Sequence, residues 1–351
     1  MSSPPRRLPK PVGLLAVTIV LLALVAGVVL GGQRLYRSVV GTKDYTGTGT
    51  GTVVVRVRQG DTARDIGVTL VADGVVRSTG AFTEVASGEA RSRSVQPGFF
   101  RLRRQMSAAS ALQLLLDPAA RLRSRVTIPE GTALAKVVDR IVAGTQVTRP
   151  DLLAALSRST ALKLPAYAGG RPEGFLFPAT YDVEPGTGAA AVLTLLTQRF
   201  GEEAASLDLE GGARALGVTP YDIVKVASLI EAETALDSDR AKVAGVIYNR
   251  LRKGMKLQLD STVNYLRIEK VARLSLTDIQ VDSPYNTYRH TGLPPTPISS
   301  PGGKALTAAL HPASGDALFF ITIDKAGHSL FTASYDEFLR AKAKAQRDGV
   351  Y

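Results

Sequence analysis

Between Thr219 and Glu233 the sequence reads TPYDIVKVASLIEAE, and Ile223, Val224, Val226, Ala227, Leu229 and Ile230 form an almost unbroken apolar run that stops at a carboxylate, Glu231. Thr219 followed by Pro220 predicts a helix start, because a threonine hydroxyl caps free backbone N–H groups and proline's fixed φ suits the first helical position. Glu231 falls on the face shared by Ala227 and Val224, the face that should be buried. A carboxylate held against apolar surface keeps its proton to higher pH, as a general acid near neutrality must. The plainer alternative is a partly exposed glutamate near a helix end, paired with Lys225 or Arg240.

Downstream, Asp237 or Ser238 is expected to cap a second helix, with Val243, Val246, Ile247 and Leu251 as its buried stripe and Gly254 as its stop. MKLQLDST then alternates like a strand, with Gln258 and Asp260 on one face. SSPGGKALTAALHP reads as a helix opened by Ser300-Pro301 and closed at His311-Pro312. It is no phosphate loop, since Lys304 is followed by alanine and the glycines lack the spacing. DALFFITID predicts a buried strand, the first arm of a hairpin that leads into a last, capped helix.

Upstream, Gly41 to Thr52 is rich in glycine and threonine and predicts a flexible tether. TVVVRVRQGDTARDIGVTL follows as strand, turn and helix, with Asp61 or Thr62 as cap. A related phrase returns in SRVTIPEGTALAKVVDRIVA from Ser124. Between the copies, PGFFRLRRQMSAASALQLLLDP predicts a strand and a short helix capped by Ser107 and ended at Asp117-Pro118.

From Pro11 to Gln33 no residue is charged, enough to cross the roughly 30 Å of hydrocarbon as a helix. A cleaved signal peptide would carry a shorter apolar stretch and a small-residue site, so an uncleaved anchor is expected. Basic residues flank the span on both sides, and charge alone does not orient it. The absence of cysteine excludes disulfides and thiolate chemistry. A net charge of +12 suits work beside anionic lipid and anionic wall material. Nothing in the sequence supports nucleic-acid binding. His290, His311 and His328 stand in unrelated contexts, and no G-x-S-x-G elbow occurs, so neither metal catalysis nor a serine triad is expected.

The blocks ASLIEAET, NRL, GMKLQLDSTVNY, SPYNTYRHTGLPPTPISSPG and AALHP, in that order, with EGFLFPATYDV before them, resemble the endolytic murein transglycosylase (YceG-like) family. The resemblance runs from about Val53 to the C-terminus. It implies an α+β protein: a cytoplasmic tail (1–11), a transmembrane helix (12–33), a linker (34–52), a LysM-like N-terminal module (53–160) and a catalytic domain (161–351). It implies an anchored, extracytoplasmic enzyme without cofactor that cuts peptidoglycan glycan strands and works near peptidoglycan synthases. It places the catalytic acid at Glu231. Glycosidases ordinarily use two carboxylates, but a lytic transglycosylase manages with one, because the attacking hydroxyl belongs to the substrate. Gln258, Tyr285, Asn286, Thr287, Glu173 and Asp260 are the candidate substrate-binding residues. Each has a plainer alternative as a loop-stabilising, capping or core residue, as the N-terminal module has as a spacer. Two other functions stay open: a muramidase pairing Glu231 with Asp260 or Glu173, and a wall-binding protein without activity.

The topology has its own test. A reporter enzyme that works only outside the cytoplasm, fused after Tyr351, should be active, and N-terminal sequencing of the membrane-bound protein should recover the residues ahead of the span. Processing near Gly32 would contradict the anchor.

Overall fold

The computed structural model describes residues 43–350 except 235, 268–270 and 272–273. The expected anchor at 12–33 lies outside the described residues, among which no helix is long and apolar enough to cross a membrane. The architecture is mixed α+β, in two compact units that divide between Leu122 and Arg123.

In the first unit, β1 (Thr48–Val57) pairs antiparallel with β2 (Gly98–Met106), and α1 (Ala63–Ala72) and α2 (Thr79–Gly88) lie between them in sequence. Helix α3 (Ala108–Leu116) and the short β3 (Arg121–Leu122) follow, giving the sheet order β1-β2-β3. Alternation sends Val55, Val57, Phe100 and Leu102 into the core, none more than 4% exposed. Thr62, not Asp61, caps α1, in a reciprocal box with Asp65. Ser107 caps α3 as expected. The glycine-threonine stretch is not all tether, because its last five residues, Thr48 to Thr52, are already strand. Its glycines serve close approach: Gly49 has φ +76° and a Cβ there would sit 2.5 Å from the Arg104 carbonyl oxygen, just where the register shifts between Thr50 and Val53.

In the second unit, β4 (Ser124–Thr127) pairs antiparallel with β5 (Thr180–Val183), and α4 (Leu134–Gly144) and α5 (Arg149–Ser157) intervene. Residues 123–160 therefore pack with the segment that follows them, and the division falls well before 160. The repeated strand-turn-helix phrase describes local structure only; which strand each copy pairs with depends on residues far away.

The remaining elements are α6 (Ala189–Ser206), α7 (Leu209–Leu216), α8 (Pro220–Glu233), α9 (Asp237–Arg252), α10 (Asp260–Asn264), α11 (Gly303–Leu310), the hairpin β6–β7 (Phe319–Thr322 and Ser329–Thr332) and α12 (Tyr335–Arg347). Helix α8 starts as expected: the Thr219 hydroxyl accepts from Asp222 N at 3.1 Å, and Asp222 answers back to the cap. From Ile223 to Ile230 every residue but Lys225 is fully buried, and Lys225 reaches back to Asp222. Helices α9, α11, α7 and α10 surround it.

Several local expectations are corrected. Neither Asp237 nor Ser238 caps α9, whose N-cap position is Leu236 without a side-chain bond. Helix α11 begins at Gly303, and Ser300 is used in a backbone bridge to Thr132 instead. MKLQLDST forms no strand: Gln258 has φ +50°, which breaks the alternation, and Asp260 opens α10. Strand β6 is half-buried, not buried, because its single hairpin partner, α12 and a light contact with α9 cannot enclose it.

Two helix glycines should respond oppositely to alanine. At Gly245 in α9 a Cβ would lie 2.7 Å from the Ala313 backbone oxygen, which cannot swing aside. Crowding of about 1–3 kcal/mol should outweigh the helix-propensity gain of about 1 kcal/mol. At Gly201 in α6 nothing lies within 4 Å, and alanine should stabilise by up to about 1 kcal/mol. Thermal melting of Gly245→Ala and Gly201→Ala should show shifts of opposite sign.

Candidate active site

Glu231 stands near the C-terminal end of α8 with its side chain 6% exposed. One oxygen, Oε1, accepts from Arg240 Nη1 at 3.0 Å, and Oε2 accepts from Gly302 N at 2.9 Å. Arg240 sits in the first turns of α9, itself buried, and its Nε donates to Asp237 Oδ1 at 3.1 Å. Asp237 in turn pairs with Lys304 at the start of α11. The apolar wall expected around Glu231 is thus absent where it matters. The carboxylate is met by a guanidinium and a backbone N–H, the donors that suit its ionised form. Of the two pairing partners considered, Arg240 is the one used.

The segment ahead of α11 is pinned from two sides. Ser228 of α8 accepts from Ile298 N at 3.1 Å. Gly131 N donates to Ser300 O and Ser300 N to Thr132 O, both at 2.9 Å, forming an antiparallel bridge. The bridge lays the Ile128–Thr132 turn beside Glu231, with Gly131 in positive φ close to its Cγ. It also tucks the Glu130 side chain over Gly302, where a Cβ would collide with the carboxylate; a Cβ on Gly303 would collide with Glu203. Loss of water raises the Glu130 pKa, the Glu231 charge adds to this, and Arg240 and Lys304 oppose it. An open cleft of about 610 Å³ lies alongside, lined by Glu130, Glu203, Arg240, Lys304, Thr307 and His311 among others. Glu231 is bonded to Arg240, one of the residues that line it.

The other sequence candidates fall into two groups away from this contact. Glu173 is buried and accepts from Leu134 N at 3.0 Å, capping α4, whose own N-cap residue Ala133 offers no side-chain bond. Tyr265 OH donates to its second oxygen at 3.0 Å, and the Tyr265 ring lies 5.0 Å from that of Tyr285. Tyr285 OH meets Thr296 Oγ1 at 2.9 Å. Burial pushes the Glu173 carboxyl up to about 7, against the pull of its donors. In the second group Asn286 and Thr287 are buried and spent on the loop. Asn286 Nδ2 donates to Ile279 O and Val281 O, and Thr287 Oγ1 accepts from Leu259 N. Gln258 is exposed and held by its backbone N–H on Thr287 O. Asp260 is exposed and accepts from Tyr288 OH. Glu233, two residues beyond Glu231, faces Ser261 and Asp260, and burial raises its pKa.

Sequence reasoning missed Glu130 and Gly302. The IPEGT phrase was visible as a turn before a helix, and the glycine pair as a helix start. Their meeting needs the bridge between Thr132 and Ser300, which no local pattern signals.

Residues 55–344 match the family profile described as the YceG-like family. The chain is 31% identical over 308 residues to an endolytic murein transglycosylase of Bacillus subtilis (strain 168), covering 84% of each chain. It is 28% identical over 300 residues to an endolytic murein transglycosylase of Streptococcus pneumoniae (strain ATCC BAA-255 / R6), covering 77% of this chain and 54% of that one, so it spans about half the pneumococcal protein. Among solved structures, a YceG-like protein from Listeria monocytogenes aligns over 82% of this chain and 98% of its own, with TM-score 0.57 and 26% identity.

Glu173 generates a pH prediction. Its carboxyl titrates near 7 when folded against an ordinary 4.5, so between these values the folded state binds more protons than the unfolded one. Stability from this group is therefore greatest below pH 4.5 and falls as pH rises towards 7, by at most about 1.4 kcal/mol per pH unit. Glu130 and Glu233 shift in the same direction, so Glu173→Gln should flatten the decline without abolishing it. Thermal melting across this window reads the slope, and equal slopes for the variant and wild type would refute the assignment.

Proposed function

This chain belongs to the YceG-like family, and from that membership and the two-sided hold on Glu231 we propose that it is an endolytic lytic transglycosylase of peptidoglycan. Glu231 gives its proton to the glycosidic oxygen as the bond from the N-acetylmuramoyl C1 breaks. The carboxylate left behind is the form that Arg240 and the Gly302 N–H stabilise. It then takes the proton of the muramoyl C6 hydroxyl, whose oxygen closes on C1 to leave a 1,6-anhydro end. An attacking group inside the substrate is already positioned, so no second carboxylate has to activate water.

The surroundings of the rival acids support one carboxylate at the bond being cut. Both Glu173 oxygens are engaged by Leu134 and Tyr265, and Asp260 is engaged by Tyr288. Tyr285, Gln258 and Asp260 remain the better candidates for contacting glycan, because they reach solvent where Asn286 and Thr287 do not. The uncharged run from Pro11 to Gln33 supports a single anchor with the catalytic unit outside the cytoplasm. The strand-helix-helix-strand order of the first unit supports a LysM-like, glycan-binding role. The partners proposed are glycan strands, the membrane and the synthases that extend those strands.

Glu231→Gln nearly keeps shape and removes the titrating proton, so release of anhydro-ended fragments should fall on the order of 10⁴-fold or more. The single amide oxygen leaves one of the two donors unmatched, so melting should drop while the fold is retained. Asp260→Asn and Glu233→Gln should each cost far less. Mass spectrometry of digested glycan reads both rate and chain end. If Glu231→Gln kept a tenth or more of the activity while Asp260→Asn abolished it, a two-carboxylate hydrolase would replace this reading.

A further inference from the structure

A general acid must be protonated when substrate arrives, yet the donors around Glu231 are arranged for an anion. A source for the proton is therefore needed; Asp237 is spent on Arg240 and Lys304, and the other carboxylate at the contact is Glu130. Glu130 is laid over the Cα of Gly302, the residue whose N–H is bound by Glu231, and both acids face Arg240. Among the described residues no hydrogen bond holds the Glu130 carboxylate, whereas those of Glu231, Glu173 and Asp260 are all bonded.

We propose that Glu130 is the proton-holding partner of Glu231, the two carboxylates sharing one proton that rests on Glu130 in the free enzyme. The proposal rests on the transglycosylase reading above. The proton passes from Glu130 to Glu231 at the edge of the cleft, and from Glu231 to the leaving oxygen as C1–O4 breaks. As C1–O6 forms, the C6 hydroxyl proton arrives on Glu231 and returns to Glu130, so each turnover leaves the pair as it began. Glu130 acts through Glu231 and is a positioning residue. Its raised pKa agrees with this order of filling. The charged and titratable groups around it are Glu231 on α8, Arg240 and Asp237 on α9, Lys304 on α11, and Glu203 and His311 along the same cleft.

The test uses the full-length chain and purified glycan strands, with kcat and KM measured from acid to mildly alkaline pH. Glu130→Gln should lower kcat at neutral pH on the order of tenfold or more, leave KM unchanged, and recover towards wild type as pH falls. The alkaline limb of the profile thus moves to lower pH, because Glu130 no longer holds the proton. Gly302→Ala retains both acids but displaces the Glu130 carboxylate, a flexible side-chain end, and should move the same limb in the same direction. Should Glu130→Gln melt early, Gly302→Ala alone decides. A uniform loss of rate with the alkaline limb in place would overturn the proposal and leave Glu130 a structural residue. The transglycosylase reading is judged separately, by the chain ends that wild type releases and by Glu231→Gln.

Discussion

A helix buried on every side can present chemistry only at its ends, and α8 is such a helix. Its residues from Ile223 to Ile230 are closed in by α7, α9, α10 and α11, with Lys225 as the one outlet. Glu231 comes at the first place where the chain can meet polar groups again. The same packing brings α9 and the start of α11 against that end, supplying Arg240 and the Gly302 N–H. The core and the site are one construction, since the apolar run fixes where the carboxylate must stop and who its neighbours are.

Carboxylates of one type take different roles here because their surroundings differ. Glu173 is buried but serves a helix end, Asp260 is exposed and tied to a tyrosine, and Glu231 is buried and ion-paired. A buried carboxylate gains little stability from an ion pair once lost hydration is counted. The Glu231–Arg240 contact is better understood as holding a reactive group in one place than as fastening the fold.

Much of this was legible in the chain, for reasons that can be named. The start of α8, its burial and the position of Glu231 follow from a cap and a period, which are local properties. The caps at Thr62 and Ser107 are local too. What stayed hidden depends on distant residues or on backbone dihedrals. Strand β4 finds its partner only at Thr180–Val183, a pairing that the module expected over 53–160 could not reveal. Gln258 alternates correctly in sequence yet takes a positive φ, which removes the strand. Tyr285, Asn286 and Thr287 stand together as candidate substrate-binding residues, but Asn286 and Thr287 lie beneath the surface as ties for their own loop.

The Thr132–Ser300 bridge joins points separated by most of the second unit, and the site straddles it. Contacts of such sequence separation form late, because the intervening chain must first give up its freedom. A chain emerging from its N-terminus carries Glu130 and then Glu231 long before it carries Gly302. No shorter nascent product holds the assembled constellation. For an enzyme read as cutting the wall that surrounds its own cell, activity then begins only once the chain beyond Gly302 has been made, a timing written into the order in which its parts are made.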